Sequence, residues 1–178
     1  MRETSEIVLE NIFQRRSVRV FTGEAVDHSV LMTLMKAAMS APSARNRQPW
    51  TFVAITERGI LDQLAEGLPK TKMLYQAGAA IIVCGDSSVE LQDGAADLWY
   101  IDAAACSENI LLAVQAMDLG AVWSALFPYE ERSCHVAKVL GLPAHIQPFS
   151  VIPIGHPAGD EMPKDKFRPE RIHWEKWE

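Results

Sequence analysis

Cysteine is scarce in this chain. Cys84, Cys106 and Cys134 are odd in number and widely spaced, and no CxxC pair exists, which argues against a disulfide framework or a zinc site. Cys84 and Cys106 fall in apolar runs and read as buried small residues. Basic charge is not in excess: the net charge is −6, the wrong sign for a nucleic-acid-binding domain. Hydrophobic runs are short. The longest strongly apolar stretch, Ala77 to Gly85, is far too short for a bilayer. The opening residues, Met1 to Glu6, are polar and partly acidic, unlike a signal peptide. A soluble, cytoplasmic protein is expected.

The common catalytic signatures are missing too. No GxGxxG follows a strand pattern, and there is no GxxxxGK[ST] loop or GxSxG elbow. The five histidines (His28, His135, His145, His156, His173) show no HxxxH or HxxH spacing. Cys134 and His135 are adjacent, and neighbours on a helix point in different directions. If such a chain is an enzyme, a bound cofactor is expected to carry its chemistry. There is no internal repeat and no interdomain linker.

What remains is ordinary globular material. At 178 residues, 48% hydrophobic and 22% charged, the chain suits one packed core, a single domain over 1–178. Helical spacing over 5–14 is followed by a turn at Phe21-Thr22-Gly23 and a second helix over 28–39, which Asp27 can cap. Trp50 to Ile55 reads as a strand, and Ala79 to Cys84 as a central strand covered on both faces. Short helices are predicted over 59–66 and 71–77. The longest helix, over 97–118, is apolar around more than one stripe, so a subunit interface is a natural place for the excess, and Gly120 is placed to stop it. A strand over 121–126, a helix over 130–140 and a strand over 149–155 follow. The polar tail ends with Trp174 and Trp177, and tails seldom keep two tryptophans unless they dock on something.

Two segments stand out. Arg15-Arg16-Ser17-Val18-Arg19 crowds three guanidinium groups and a hydroxyl into five positions of an acidic chain, a set suited to a phosphate. The plainer reading is that these arginines complement the negative end of the helix before them. The loop from Pro42 to Trp50 is dense in hydrogen-bonding groups, and Ser43, Asn46 and Gln48 suit the edge of a flat heterocycle. The plainer reading there is a rigid connection whose polar groups satisfy their own backbone. Lys164 to Arg168 adds positive charge, or is simply a solvated tail.

Taken in order, these segments resemble one family. Residues 15–21 (Arg15 to Phe21) and 41–50 (Ala41 to Trp50) are similar to the two N-terminal signatures of FMN-dependent nitroreductases. Asp118-Leu119-Gly120-Ala121-Val122-Trp123 resembles the family's glycine turn, with the first glycine of the usual Gly-Leu-Gly changed to Asp118. Ile152 to Pro157 and the basic tail complete the resemblance over nearly the whole chain.

The resemblance implies an α+β fold, a mainly antiparallel sheet flanked by helices, in an intertwined homodimer with FMN in clefts between the subunits. It implies that Arg15, Arg16 and Ser17 grip the phosphate and ribityl chain, and that Arg19 approaches the pyrimidine side of the flavin and favours its reduced form. Pro42, Ser43, Ala44 and Asn46, with Gln48 beside them, would reach the flavin from the other subunit. Gly120 and Ala121 would lie near the ring, and Lys166 or Arg168 would reach the phosphate. Lys70 or Lys72 is a further candidate cation, and Arg45 and Arg47 are candidate contacts at the cleft mouth. The implied reaction takes hydride from NADH or NADPH and passes it to nitroaromatic, quinone or similar flat acceptors in a ping-pong cycle, with no side chain as nucleophile or catalytic group. A non-catalytic flavin-binding or flavin-sensing dimer, or a flavin enzyme of the same fold with other chemistry such as dehalogenation, stands as the alternative. The short stretch between Gly85 and Asp97 leaves little material for a large lid.

Overall fold

The structure, a computed structural model, describes residues 2–89 and 98–177. Eleven residues form α1 (Thr4–Gln14), opened by a capping box between Glu3 before it and Glu6 in its first turn, and α2 (His28–Met39) follows. The Asp27 side chain makes no cap bond to α2, so that helix starts without the predicted cap. Next come β1 (Trp50–Ile55), α3 (Arg58–Gly67) and β2 (Ala79–Asp86). They are followed by α4 (Trp99–Ala116), the two-residue strands β3 (Gly120–Ala121) and β4 (Ser124–Ala125), α5 (Glu130–Leu140) and β5 (Ile146–Gly155). The predicted helix over 71–77 is only a 3-10 turn, Lys72–Tyr75. The predicted start of the long helix at Asp97 lies outside the described residues.

The sheet is antiparallel throughout, in the order β1-β2-β5-β3, with β4 also on β5. β3 and β4 keep one register against β5, with Gly120 opposite Gly155 and Ala125 opposite Ser150. They are two halves of the one predicted strand. Their break, at Val122 and Trp123, faces Ile152 and Pro153, where proline has no N–H to offer a ladder.

β2 is the central strand that its apolar run predicts. Ala79, Ile81 and Val83 pack under α2 and α4, while Ala80, Ile82 and Cys84 face α3 and α5. Both faces are therefore dry, and each fully buried Ile or Val contributes about 1.5–3 kcal/mol of transfer free energy. Burial pushes the Cys84 and Cys106 thiols up to about 12, so neither is a reactive thiolate.

The end of α4 differs from expectation. Asp118, not Gly120, takes the left-handed position, with φ 56°. The N–H of Leu119 donates to the Val114 carbonyl at 3.1 Å and that of Asp118 to Gln115 at 3.3 Å. This is a Schellman stop, and Leu119 and Val114 share the core beside it. Gly120 already belongs to β3.

Unlike the other helices, α1 buries no residue at all: Ile7, Val8, Leu9, Ile12 and Phe13 are exposed. Ile101 on α4 is exposed as well, and Trp174 and Trp177 are 80% and 86% accessible. Among the described residues no helix is long and apolar enough to cross a membrane.

Candidate functional site

The chain leaves α1 at Arg15 in extended conformation. Alternation then sends Val18 into the core, 1% exposed, and its neighbours outward. The N–H of Val18 donates to the Ala121 carbonyl at 2.9 Å. A Cβ on Gly120 would lie 2.7 Å from the Cβ of Val18, so only glycine allows this approach. On its other side the segment is held by Thr22 N–H on the His156 carbonyl (3.0 Å) and Ala158 N–H on the Val20 carbonyl (2.9 Å). Three of the sequence motifs thus meet through backbone contacts: the arginine run, the glycine turn and the turn after β5.

The arginines engage α4 rather than the last turn of α1. Arg15 Nε lies 3.1 Å from Glu108 Oε1, and Arg16 Nη1 donates to Gln115 Oε1 at 3.2 Å. Arg19 is exposed and its Nη1 donates to the Ser17 carbonyl at 3.4 Å. Arg15 also lines a cavity of about 540 Å³, closed on its far side by Pro163 to Phe167 of the tail. Lys164 and Lys166 line the same space. Arg168 does not line it, and its guanidinium donates to the Phe167 carbonyl at 2.7 Å. A cavity lined by one arginine and two lysines suits a phosphate dianion. Asp165 also lines it, with Oδ1 accepting the Phe167 N–H at 2.9 Å.

Glu161 anchors the tail that forms this wall, a role the sequence reading missed. Its Oε1 accepts the Arg19 N–H at 2.7 Å. That bond, with further backbone donors and the nearby Arg16 charge, holds the Glu161 carboxyl below the usual range. One acid among many in a polar tail carries no sequence signal for this role.

The loop from Pro42 to Gln48 is strained and self-satisfied. Arg45, Asn46 and Gln48 all take positive φ, 53°, 56° and 53°, costing about 1 kcal/mol or more each. Gln48 N–H donates to Ser43 Oγ at 2.9 Å, Asn46 N–H to the Ser43 carbonyl at 2.9 Å, and Gln48 Nε2 to Asn46 Oδ1 at 3.2 Å. The polar groups thus meet the plainer reading as well as leaving Pro42, Ser43 and Ala44 on a cavity of about 260 Å³. The anchor of this loop is Asp102 of α4, only 7% exposed, whose two carboxylate oxygens lie 3.1 and 3.2 Å from the donating Ala44 N–H. Burial raises its pKa, and the bond from Ala44 pulls it back in part. Sequence reasoning did not single out Asp102. The signal was there, a lone acid in the run from Trp99 to Ser107.

Two candidate groups are not brought together within one chain. Asp102 holds the loop, whereas Glu108 and Gln115 hold the arginines. At about 100° per residue these anchors lie roughly 240° and 220° around α4 from Asp102. The loop and the arginine run therefore dock on opposing sides of the helix. Lys72 is committed elsewhere: its Nζ donates to the Ala65 carbonyl near the end of α3 at 2.9 Å, and it sits by the Tyr75 ring. Lys70 is exposed.

A model of the nitroreductase family matches residues 12–72 and 61–156, which take in the arginine run, the strained loop, α4 and the glycine turn. The chain belongs to the nitroreductase family. Among nitroreductase relatives, a Methanothermobacter thermautotrophicus protein provisionally named NADH dehydrogenase/NAD(P)H nitroreductase is 41% identical over 96% of this chain and 87% of its own. A Bacillus subtilis FMN reductase [NAD(P)H] is 23% identical over 93% of this chain and 72% of its own. The crystal structure of a Parabacteroides distasonis protein, provisionally named like the first, superposes with a TM-score of 0.90 at 43% identity. That superposition covers 96% of this chain and 99% of the other. The predicted α+β fold with an antiparallel sheet is thus the nitroreductase fold.

Proposed function

We propose that this nitroreductase-family chain is an FMN-dependent oxidoreductase that takes hydride from NADH or NADPH and reduces nitroaromatic, quinone or similar flat acceptors in a ping-pong cycle. The observation that carries the reading is the cavity lined by Arg15, Lys164 and Lys166, on the segment whose Val18 packs against Gly120 and Ala121. FMN, when bound, supplies the hydride and electron chemistry for which the chain has no nucleophile or metal motif.

Arg15 and Lys166 would hold the phosphate, with Arg16 and Ser17 alongside on the same segment. Arg19 presents a fixed charge that would favour negative charge on a reduced ring. Gly120 and Ala121, buried against Val18, would fix the arginine run to the sheet edge near the ring. Pro42, Ser43, Ala44, Asn46 and Gln48 dock on the other side of α4, so we place them at the cleft of a second copy. A homodimer would also bury the α1 face and the tail tryptophans, about 25 cal/mol for each Å² of apolar surface covered. Asp118, where the resemblance implies glycine, is accounted for by the helix stop and leaves the flavin reading intact.

The test is anaerobic. The protein is loaded with FMN and mixed with NADH, then NADPH, while the oxidised flavin band is followed. Rapid bleaching by either donor, reversed by a nitroaromatic or quinone, is the expected result. Bound flavin that stays oxidised with both donors refutes the reading.

A further inference from the structure

Asp102 is the buried side-chain carboxylate of α4, and both its oxygens converge on a single backbone donor, Ala44 N–H. That donor begins the turn in which Arg45, Asn46 and Gln48 all hold positive φ. Such a turn persists only where its surroundings over-determine it. The internal bonds of the loop tie it to itself, from Gln48 to Ser43 and Asn46, and so fix its shape but not its place. The bond from Ala44 to Asp102 ties it to a rigid helix, next to the cavity that Pro42, Ser43 and Ala44 line with α4. Asp102 does not line the Arg15 cavity, which lies on the other side of the helix.

We infer that Asp102 is a positioning residue that holds the 42–48 loop of its own chain in register for the flavin whose phosphate is gripped by Arg15 of a second copy. This rests on the flavin-dimer reading above. Asp102 acts through Ala44. A charge-assisted bond to a buried carboxylate is worth enough that its loss should cost tenfold or more in a ligand contact that depends on it. Asp102→Asn retains an oxygen that can accept the same N–H, so it should rescue most of the effect.

The test uses the full-length protein with FMN as probe. In Asp102→Ala the FMN affinity should fall about tenfold or more, and tryptic cleavage after Arg45 or Arg47 should accelerate, while Asp102→Asn stays close to the parent. Co-expression under two tags then pairs an Arg15→Glu subunit with an Asp102→Ala subunit. Each homodimer should retain little FMN. The mixed dimer has one cleft with an intact Arg15 from one chain and an intact loop from the other, so it should bind one FMN per two chains.

Unchanged FMN affinity and loop cleavage in Asp102→Ala overturn the inference, as does a mixed dimer with no more flavin than its parents. Should the alanine variant not fold, slow hydrogen exchange of the Ala44 amide in the parent protein supports the clamp, and free exchange overturns it. Failure of the flavin reading itself appears separately, as full FMN retention in Arg15→Glu.

Discussion

The backbone N–H of Val18 donates to the carbonyl of Ala121 at 2.9 Å, and the Val18 side chain fills the space that a Cβ on Gly120 would need. This contact joins the arginine run to the sheet edge. Gly120→Ala places a methyl 2.7 Å from the Val18 Cβ, where backbone must shift. The expected loss is about 1–3 kcal/mol, with weaker FMN binding. Urea denaturation and flavin titration of the variant check it, and parental values in both would show that the junction yields without cost.

Arg15→Glu removes a cation from the cavity wall and sets a second acid against Glu108. Stability should change by about 1 kcal/mol or less, because the Glu108 side of the pair is well exposed. FMN affinity should fall by about 10–100-fold, the worth of a charge-assisted phosphate bond. Riboflavin has no phosphate, and its affinity should hardly move. Parallel titrations with the two flavins separate a phosphate contact from a general disturbance.

Asp118 occupies a left-handed helix stop at φ 56°, a conformation that glycine adopts without steric cost. Asp118→Gly should stabilise the protein by about 0.5–1 kcal/mol, or roughly 2–4 °C in Tm per kcal/mol. Asp118→Ala, with a Cβ and no side-chain hydrogen bonding, should destabilise it. A thermal melt in which glycine gains nothing over aspartate would show that the aspartate side chain repays its backbone strain.

Asp102 and Glu161 should impose opposite pH dependences. Burial raises the Asp102 pKa, so the folded state takes its proton more readily than the unfolded chain does. Its burial penalty is present in full above the folded value and is relieved as pH falls through that value toward about 3.9. The parent should therefore gain stability relative to Asp102→Asn on acidification. The bond from Arg19 lowers the Glu161 pKa, so its contribution is present above about 4.3 and lost as pH falls through the folded value. Relative to Glu161→Gln the parent should lose stability on acidification. Urea midpoints of the three proteins from pH 7 down to about pH 2.5, below both unfolded values, measure both slopes.

The order of elements was legible in the chain because its patterns are local. The burial of β2 on both faces follows from an unbroken apolar run between two turn signals, and the helix over 130–140 matches α5 to the residue. The segments that meet around Val18 were legible as a set because the spacing of arginines, glycine and the last strand is kept in sequence order. The helix stop was misplaced at Gly120 because glycine is the ordinary choice, and only the fold reveals that Asp118 bears the left-handed turn.

By itself, the sequence determined the central strand and the segments that carry charge and polar groups, since each depends on residue type and near spacing, and through its resemblance it gave the family and the α+β class that the family implies. Tertiary structure alone decided which cations share a cavity. It put Lys166 and Arg15 on one cavity, tied the Arg168 guanidinium to the neighbouring Phe167 carbonyl and committed Lys72 to the end of α3. It also decided that Glu161 holds the tail and Asp102 the loop, in bonds that join residues 142 and 58 positions apart. No local pattern encodes such pairings, because they exist only once the sheet and α4 have brought distant backbone donors within about 3 Å of a carboxylate.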